Sequence, residues 1–161
     1  MNRDARDAAL ALLARRSHTR LELSRKLSRK GFPSGEIAPV LEDLTERGYL
    51  DDARTAAALA AAQAGRGRGR ARIASELSAR GVAPPERERA LAGLDPAAER
   101  QALRRALERK ARALPAGLTP GARSKKLFDH LVRRGFAPTA VLEALHRKGE
   151  TSDDDREEVD V

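Results

Sequence analysis

The sequence contains no cysteine and no tryptophan, and its only aromatic residues are Phe32, Tyr49, Phe128 and Phe136. Each scarcity excludes something. Without cysteine there is no disulfide and no thiolate metal ligand. Aromatics at 2% make a single large core hard to fill and leave little for stacking on nucleic-acid bases. Small Leu/Ala cores between short helices, repeated along the chain, suit this composition better. The longest Ala/Leu run, Ala56 to Ala62, is too short to cross a bilayer. The first ten residues carry Arg3, Asp4, Arg6 and Asp7 and lack the apolar stretch of a secretory leader. A cytoplasmic setting with no membrane partner is expected. No run alternates with period two, so no strands are expected. His18, His130 and His146 lack metal-binding spacing, and no serine sits in a nucleophile elbow. No carboxylate lies beside an apolar cluster that would raise its pKa. Neither a catalytic site nor a metal or cofactor is expected.

What the chain has in abundance is charge. Thirty-two Lys and Arg oppose 24 Asp and Glu, a net +8. The balance is uneven. Residues 150–161 hold seven carboxylates and one arginine, a net −6, which leaves +14 on the rest. A body this basic is drawn to polyanions, meaning nucleic acid or a protein–DNA assembly. The acidic tail reads as disordered and as a screen for the basic body.

The chain also repeats itself. Leu23 and Leu27 lead to Gly31-Phe32-Pro33, Ile73 and Leu77 to Gly81-Val82-Ala83-Pro84, and Leu127 and Leu131 to Gly135-Phe136-Ala137-Pro138. The glycines lie 50 and 54 residues apart. Ten positions after each stands Leu41, Leu91 or Leu145; six positions after stand Ile37, Arg87 and Val141. Apolar residues at i and i+4 mark one face of a helix. The glycine takes the left-handed conformation past the last turn, the next apolar residue folds back on that turn, and the proline opens the following helix. Thr19–Glu22 reads as a capping box, and Asp95-Pro96 and Thr119-Pro120 as caps before a first-turn proline. Nine helices follow, near 3–16, 19–30, 36–47, 51–64, 70–80, 85–93, 96–114, 120–134 and 138–148. Pro39 suggests that the third starts late or bends. The expected fold is all-α: three tandem three-helix, helix-turn-helix-like repeats in an elongated, curved arrangement. Their bounds are 1–48, 49–94 (with a flexible Gly/Arg-rich joint at 65–70) and 95–149, followed by the tail, 150–161.

The candidate binding residues are the basic clusters Arg15-Arg16, Arg25-Lys26, Arg29-Lys30, Arg66, Arg68, Arg70, Arg72, Lys125-Lys126 and Arg133-Arg134. They read as a basic stripe toward carboxylates of a partner or DNA phosphate. Some of them sit at helix ends, where the helix dipole alone accounts for a cation. The arginines of the Gly-Arg segment do no packing if that segment is a mobile joint. In Gly48-Tyr49-Leu50-Asp51-Asp52, the glycine ends a helix, Leu50 packs and one aspartate caps the next helix. The other aspartate is left over for a partner's arginine. Tyr49 reads as a core aromatic with its hydroxyl at the surface.

These residues also carry a resemblance. Gly48 to Arg54 resembles the GYLDD signature of RecX proteins. The opening Ala11 to Leu23, Lys26-Leu27, Arg29 to Phe32, and Leu127 to Phe136 are similar to the same family in order and spacing. The family usually places an aromatic after Ala53-Arg54, where this chain has Thr55. The resemblance implies tandem three-helix repeats that lie in the groove of the RecA recombinase filament on DNA. There they restrain its ATP hydrolysis and strand exchange, modulating recombination, DNA repair and the SOS response. It implies a protein partner and that the chain can also touch DNA directly; contact with DNA is expected to be weak or through the filament, and the chain is expected to be a monomer without catalysis. A direct DNA-binding helix-turn-helix regulator is the competing reading. The acids of its third helix, Glu36, Glu42, Asp43 and Glu46, oppose it by repelling phosphate.

Overall fold

A computed structural model describes the backbone of residues 4–157 and side chains to residue 148. Among these residues the secondary structure is entirely helical, in the expected order: α1 (Ala5–Leu13), α2 (Arg20–Arg29), α3 (Ser34–Glu46), α4 (Asp52–Gly65), α5 (Arg70–Ala79), α6 (Pro84–Ala92), α7 (Pro96–Arg112), α8 (Pro120–Arg133) and α9 (Pro138–Glu157).

The helix ends follow local chemistry. Thr19 Oγ1 accepts the Glu22 amide at 3.2 Å and the Glu22 carboxylate accepts the Thr19 amide at 3.2 Å, closing the capping box. Asp95 and Thr119 accept the amides of Ala97 and Ala122 at 2.8 and 3.3 Å, ahead of their prolines. The three repeat glycines have φ of +94°, +79° and +90° at Gly31, Gly81 and Gly135. The amides of Phe32, Val82 and Phe136 reach back to the carbonyls of Leu27, Leu77 and Leu131 at 3.3, 3.0 and 3.3 Å. Those are Schellman stops, and they satisfy carbonyls the helix leaves open. Proline 39 lies inside α3, which starts at Ser34, earlier than expected. The hydrogen bond that Pro39, lacking an N–H, cannot donate would have gone to the Gly35 carbonyl, and nothing lies within 4 Å of a Cβ built on Gly35.

The chain divides into two compact units. One holds the residues up to Ala61 together with Ala74–Gly93; the other holds Ala62–Ile73 and the chain from Leu94 onward. In the first, α1, α2 and α3 pack on one another around Leu23, Leu27, Ile37, Leu41, Leu44 and Leu50, with Phe32 against the cluster. In the second, α8 packs on α7 and α9 around Leu103, Leu107, Leu127, Leu131, Phe136 and Val141. The segment expected as the middle module is thus shared between the units, with α4 and α5 each contributing to both. Its buried residues include three alanines, Ala56, Ala60 and Ala90, beside Ile73, Leu77 and Val82.

The helical backbone of α9 runs on to Glu157. No proline follows Pro138, and a single interior glycine, Gly149, costs a helix only about 1 kcal/mol. Residues 158–161, the end of the acidic tail, lie outside the described residues.

Candidate partner and nucleic-acid interface

In the first unit the cations of α2 fall on two adjacent ridges. Arg25 and Arg29 are one turn apart, as are Lys26 and Lys30. Arg25, Arg29 and Lys30 are exposed, and Lys26 is half-buried. The Arg29 Nε donates to the Arg25 carbonyl at 3.3 Å. Arg15 and Arg16 follow α1, both exposed. Arg16 is committed internally: it donates to the Ser17 carbonyl at 2.9 Å and meets Glu22 at 3.4 Å. Arg15, Arg25, Lys26, Arg29 and Lys30 have no carboxylate at ion-pair distance among the described residues.

In the second unit the Gly-Arg segment is not a free joint. Gly67 stops α4 with φ +71°, and the Arg68 amide reaches the Gln63 carbonyl at 3.2 Å. The Gly69 amide donates to the Arg134 carbonyl at 2.9 Å and the Ala71 amide to the Gly135 carbonyl at 3.1 Å. A side chain on Gly69 would overlap the Gly135 backbone. Glycine here permits close packing, where the sequence suggested mobility. Two of the cations hold this arrangement together. Arg70 meets Glu99 at 2.6 Å and the Leu94 carbonyl at 2.9 Å. Arg134 donates to the Gly67 carbonyl at 2.9 Å and the Arg66 carbonyl at 3.2 Å. Lys125 pairs with Asp129 at 2.9 Å. Arg66, Arg72, Lys126 and Arg133 are exposed, and Arg68 is half-buried. Lys126 and Arg133, two turns apart, share a face of α8.

Sequence reasoning missed a further cationic feature. Arg100 and Arg104 of α7, with Arg147 and Lys148 of α9, edge a groove of about 300 Å³ whose floor includes Leu103 and Ala144. The i, i+4 spacing of Arg100 and Arg104 beside the Leu103/Leu107 stripe is the signal in the sequence that marks them.

The GYLDD segment is structural at more points than expected. Gly48 has φ +72° and ends α3, and Leu50 is buried. Asp51 caps α4 by accepting the Arg54 amide at 2.8 Å. Asp52, expected to be left over for a partner, accepts the Arg20 amide at 2.7 Å and so anchors the start of α2. Burial pushes its pKa up against the pull of that amide and of the Arg20 charge. Tyr49 is 58% exposed and does not belong to the core. Its amide is drawn back to the Leu44 carbonyl by the helix stop, which turns the following residue, Leu50, inward.

One buried polar cluster was not foreseen. His18 is 2% exposed, and its Nδ1 has no hydrogen-bond partner, lying 3.6 Å from Glu22 Oε2. Burial, then Arg16 and Lys26, push the His18 pKa below the usual 6.5, with Glu22 opposing. Burial alone would raise the Glu22 carboxyl; the Thr19 amide, Arg16 and Arg80 together hold it below its usual range. A buried neutral histidine takes up its proton more readily when unfolded, so it weakens folding as pH falls below 6.5. His130 shifts in the same direction, through burial and then Lys110 and the arginines beside it. Stability should therefore decline from pH 7 to pH 5, and His18→Gln should flatten that decline. Urea midpoints across this range check it; an unchanged slope would assign His18 no part.

Two stretches of the chain match models of one family. Residues 5–44 match the family model for the RecX first three-helix domain, and residues 51–91 that for the second. The chain is 42% identical over 153 residues to the regulatory protein RecX of Halorhodospira halophila, covering 94% of this chain and 91% of that protein. It is 40% identical over 142 residues to that of Chlorobaculum tepidum, covering 88% and 86%. Among solved structures, RecX from Lactobacillus salivarius superposes with a TM-score of 0.80 at 19% identity, covering 89% of this chain and 93% of that one.

Proposed function

Because the chain belongs to the RecX family, we propose that it binds the filament that the RecA recombinase forms on DNA and restrains its ATP hydrolysis and strand exchange. On this reading it acts in the cytoplasm as a modulator of homologous recombination, DNA repair and the SOS response. The observation that supports this is the set of exposed cations with no carboxylate at ion-pair distance among the described residues: Arg25 and Arg29 on α2, Lys30 at its C-cap, and Lys126 and Arg133 on α8. A cation that neither packs nor pairs within its own chain is free to meet a partner's carboxylates or DNA phosphate. Such contacts are individually weak in water, and several presented together add by multivalency. Arg70 and Arg134, by contrast, are occupied in holding the fold and are not assigned to the partner. No catalytic step is assigned to the chain.

The test is single-stranded-DNA-stimulated ATP hydrolysis by the cognate RecA, with this protein titrated in. Inhibition well below one copy per recombinase is expected, since masking DNA one site at a time is not so potent. Absence of inhibition up to equimolar amounts would overturn the reading. Charge reversal at Arg25 and Arg29 together should raise the concentration for half-inhibition severalfold, and added salt should do the same.

A further inference from the structure

The second helix of each triplet ends in the same way: a cation, then a left-handed glycine, as Lys30-Gly31, Arg80-Gly81 and Arg134-Gly135. Two of these ends are occupied, one within each unit. In the first unit, Thr19 Oγ1 donates to the Arg80 carbonyl at 2.5 Å, the Arg80 guanidinium meets Glu22 at 3.3 Å, and Gly81 sits against Leu21 so closely that a Cβ would overlap it. In the second, the Gly69 amide donates to the Arg134 carbonyl at 2.9 Å, the guanidinium meets the carbonyls of Arg66 and Gly67, and a Cβ on Gly135 would overlap Arg72. Thr19 and Gly69 each stand just before a helix start, 12 residues ahead of their own stop glycine. The junction has one grammar in both places: a helix start presents a donor to the carbonyl of the terminal cation, acceptors to its side chain, and a close surface to the glycine.

The third end is empty. Among the described residues Lys30, which is exposed, has no carboxylate partner, its carbonyl accepts no hydrogen bond, and nothing lies within 4 Å of a Cβ built on Gly31. We propose that Lys30-Gly31 is a docking end for the first turn of a helix on a partner protein, one with Ser, Thr or Gly at its cap and a carboxylate three residues on. The Thr19–Glu22 turn that fills the equivalent end at Arg80 supplies the template. A second copy of this chain is a poorer fit, because the open helix start of α8 has no acid in its first turn and carries Arg123, Lys125 and Lys126. The inference rests on the regulator reading only in supposing a protein partner, and its test does not use the recombinase.

The probe is a stapled peptide copying His18–Arg29, added to the isotope-labelled full chain and followed by backbone amide NMR. Shifts confined to residues 28–33 are expected. Lys30→Glu in the chain, or Glu22→Lys in the peptide, should weaken binding at least tenfold. Lys30→Glu changes an exposed residue, and its own spectrum verifies the fold. The proposal is overturned if the peptide shifts nothing at 28–33, shifts residues 80–82 instead, or binds Lys30→Glu equally well. It is also overturned if sedimentation shows that the wild-type chain self-associates and Lys30→Glu does not, since a second copy would then be the occupant. Loss of recombinase inhibition by the wild-type chain would bear on the function proposed above and not on this end.

Discussion

Gly135→Ala should destabilise the protein severely, while Gly31→Ala should cost far less. The backbone strain is nearly the same at the two sites, with φ of +90° and +94°. A side chain at a left-handed position costs about 1–2 kcal/mol by itself, and that is the whole expected effect at Gly31, which faces open space. At Gly135 the new Cβ overlaps the backbone nitrogen and Cβ of Arg72. Backbone cannot step aside as a side-chain tip can, so an overpacking penalty of about 1–3 kcal/mol is added. The Gly69 and Ala71 hydrogen bonds across this junction are then at risk as well. Gly81→Ala should fall between, since of its obstacles Leu21 Cδ2 can swing away with a new rotamer while Leu21 Cβ cannot. Urea unfolding of the three variants gives the order directly, provided the slope with denaturant is unchanged. Equal losses at all three sites would mean that the glycines serve only to end helices.

Leu131→Ala should cost about 2–5 kcal/mol, the range for emptying a fully buried leucine site. The residue has no exposed surface and lies in the α7–α9 core with Leu103, Leu107, Leu127 and Val141. Phe136 is buried in the same core and Phe128 packs against it, so the residues around the hole are held by their own packing and can relax into it only in part. Because domains are stable by only about 5–15 kcal/mol, the variant should be markedly easier to unfold. Leu142→Ala is the matched control: it lies on α9 at 47% exposure and should change stability by about 0.5 kcal/mol or less. Thermal or urea melts of the pair measure both.

The features legible in the sequence are those encoded within a few residues. Capping boxes, first-turn prolines and stop glycines act over one turn, and seven of the helices lie within two residues of their expected bounds, as such local signals allow. The periodic leucines likewise identify Leu23, Leu27, Leu127 and Leu131 as core. What the sequence conceals depends on residues far apart in the chain. The Gly-Arg segment looks mobile until its amides are seen to meet Arg134 and Gly135, more than sixty residues away. Asp52 looks spare until the Arg20 amide is seen against it. His18 gives no periodic signal, since it precedes the helix whose start it helps to bury. The same limit applies to the cationic set. Composition marks all fourteen candidates alike, and only the coordinates separate Arg70 and Arg134, which brace the fold, from Arg25 or Lys126, which face outward.

The spacing of the three stop glycines has one last consequence. Helices α2, α5 and α8 begin at Arg20, Arg70 and Pro120, evenly 50 residues apart, yet their stops are 50 and then 54 residues apart. The surplus lies inside α8, which has 14 residues where α2 and α5 have ten. Four residues extend a helix by about 6 Å, a little more than one turn. Counted back from the stop, the place held by Thr19 and Gly69 in the earlier helices is held in α8 by Arg123, whose guanidinium is spent on the Ala111 carbonyl at 2.6 Å. The inserted turn thus breaks, at the start of α8, the 12-residue register that Thr19 and Gly69 keep with their own stops.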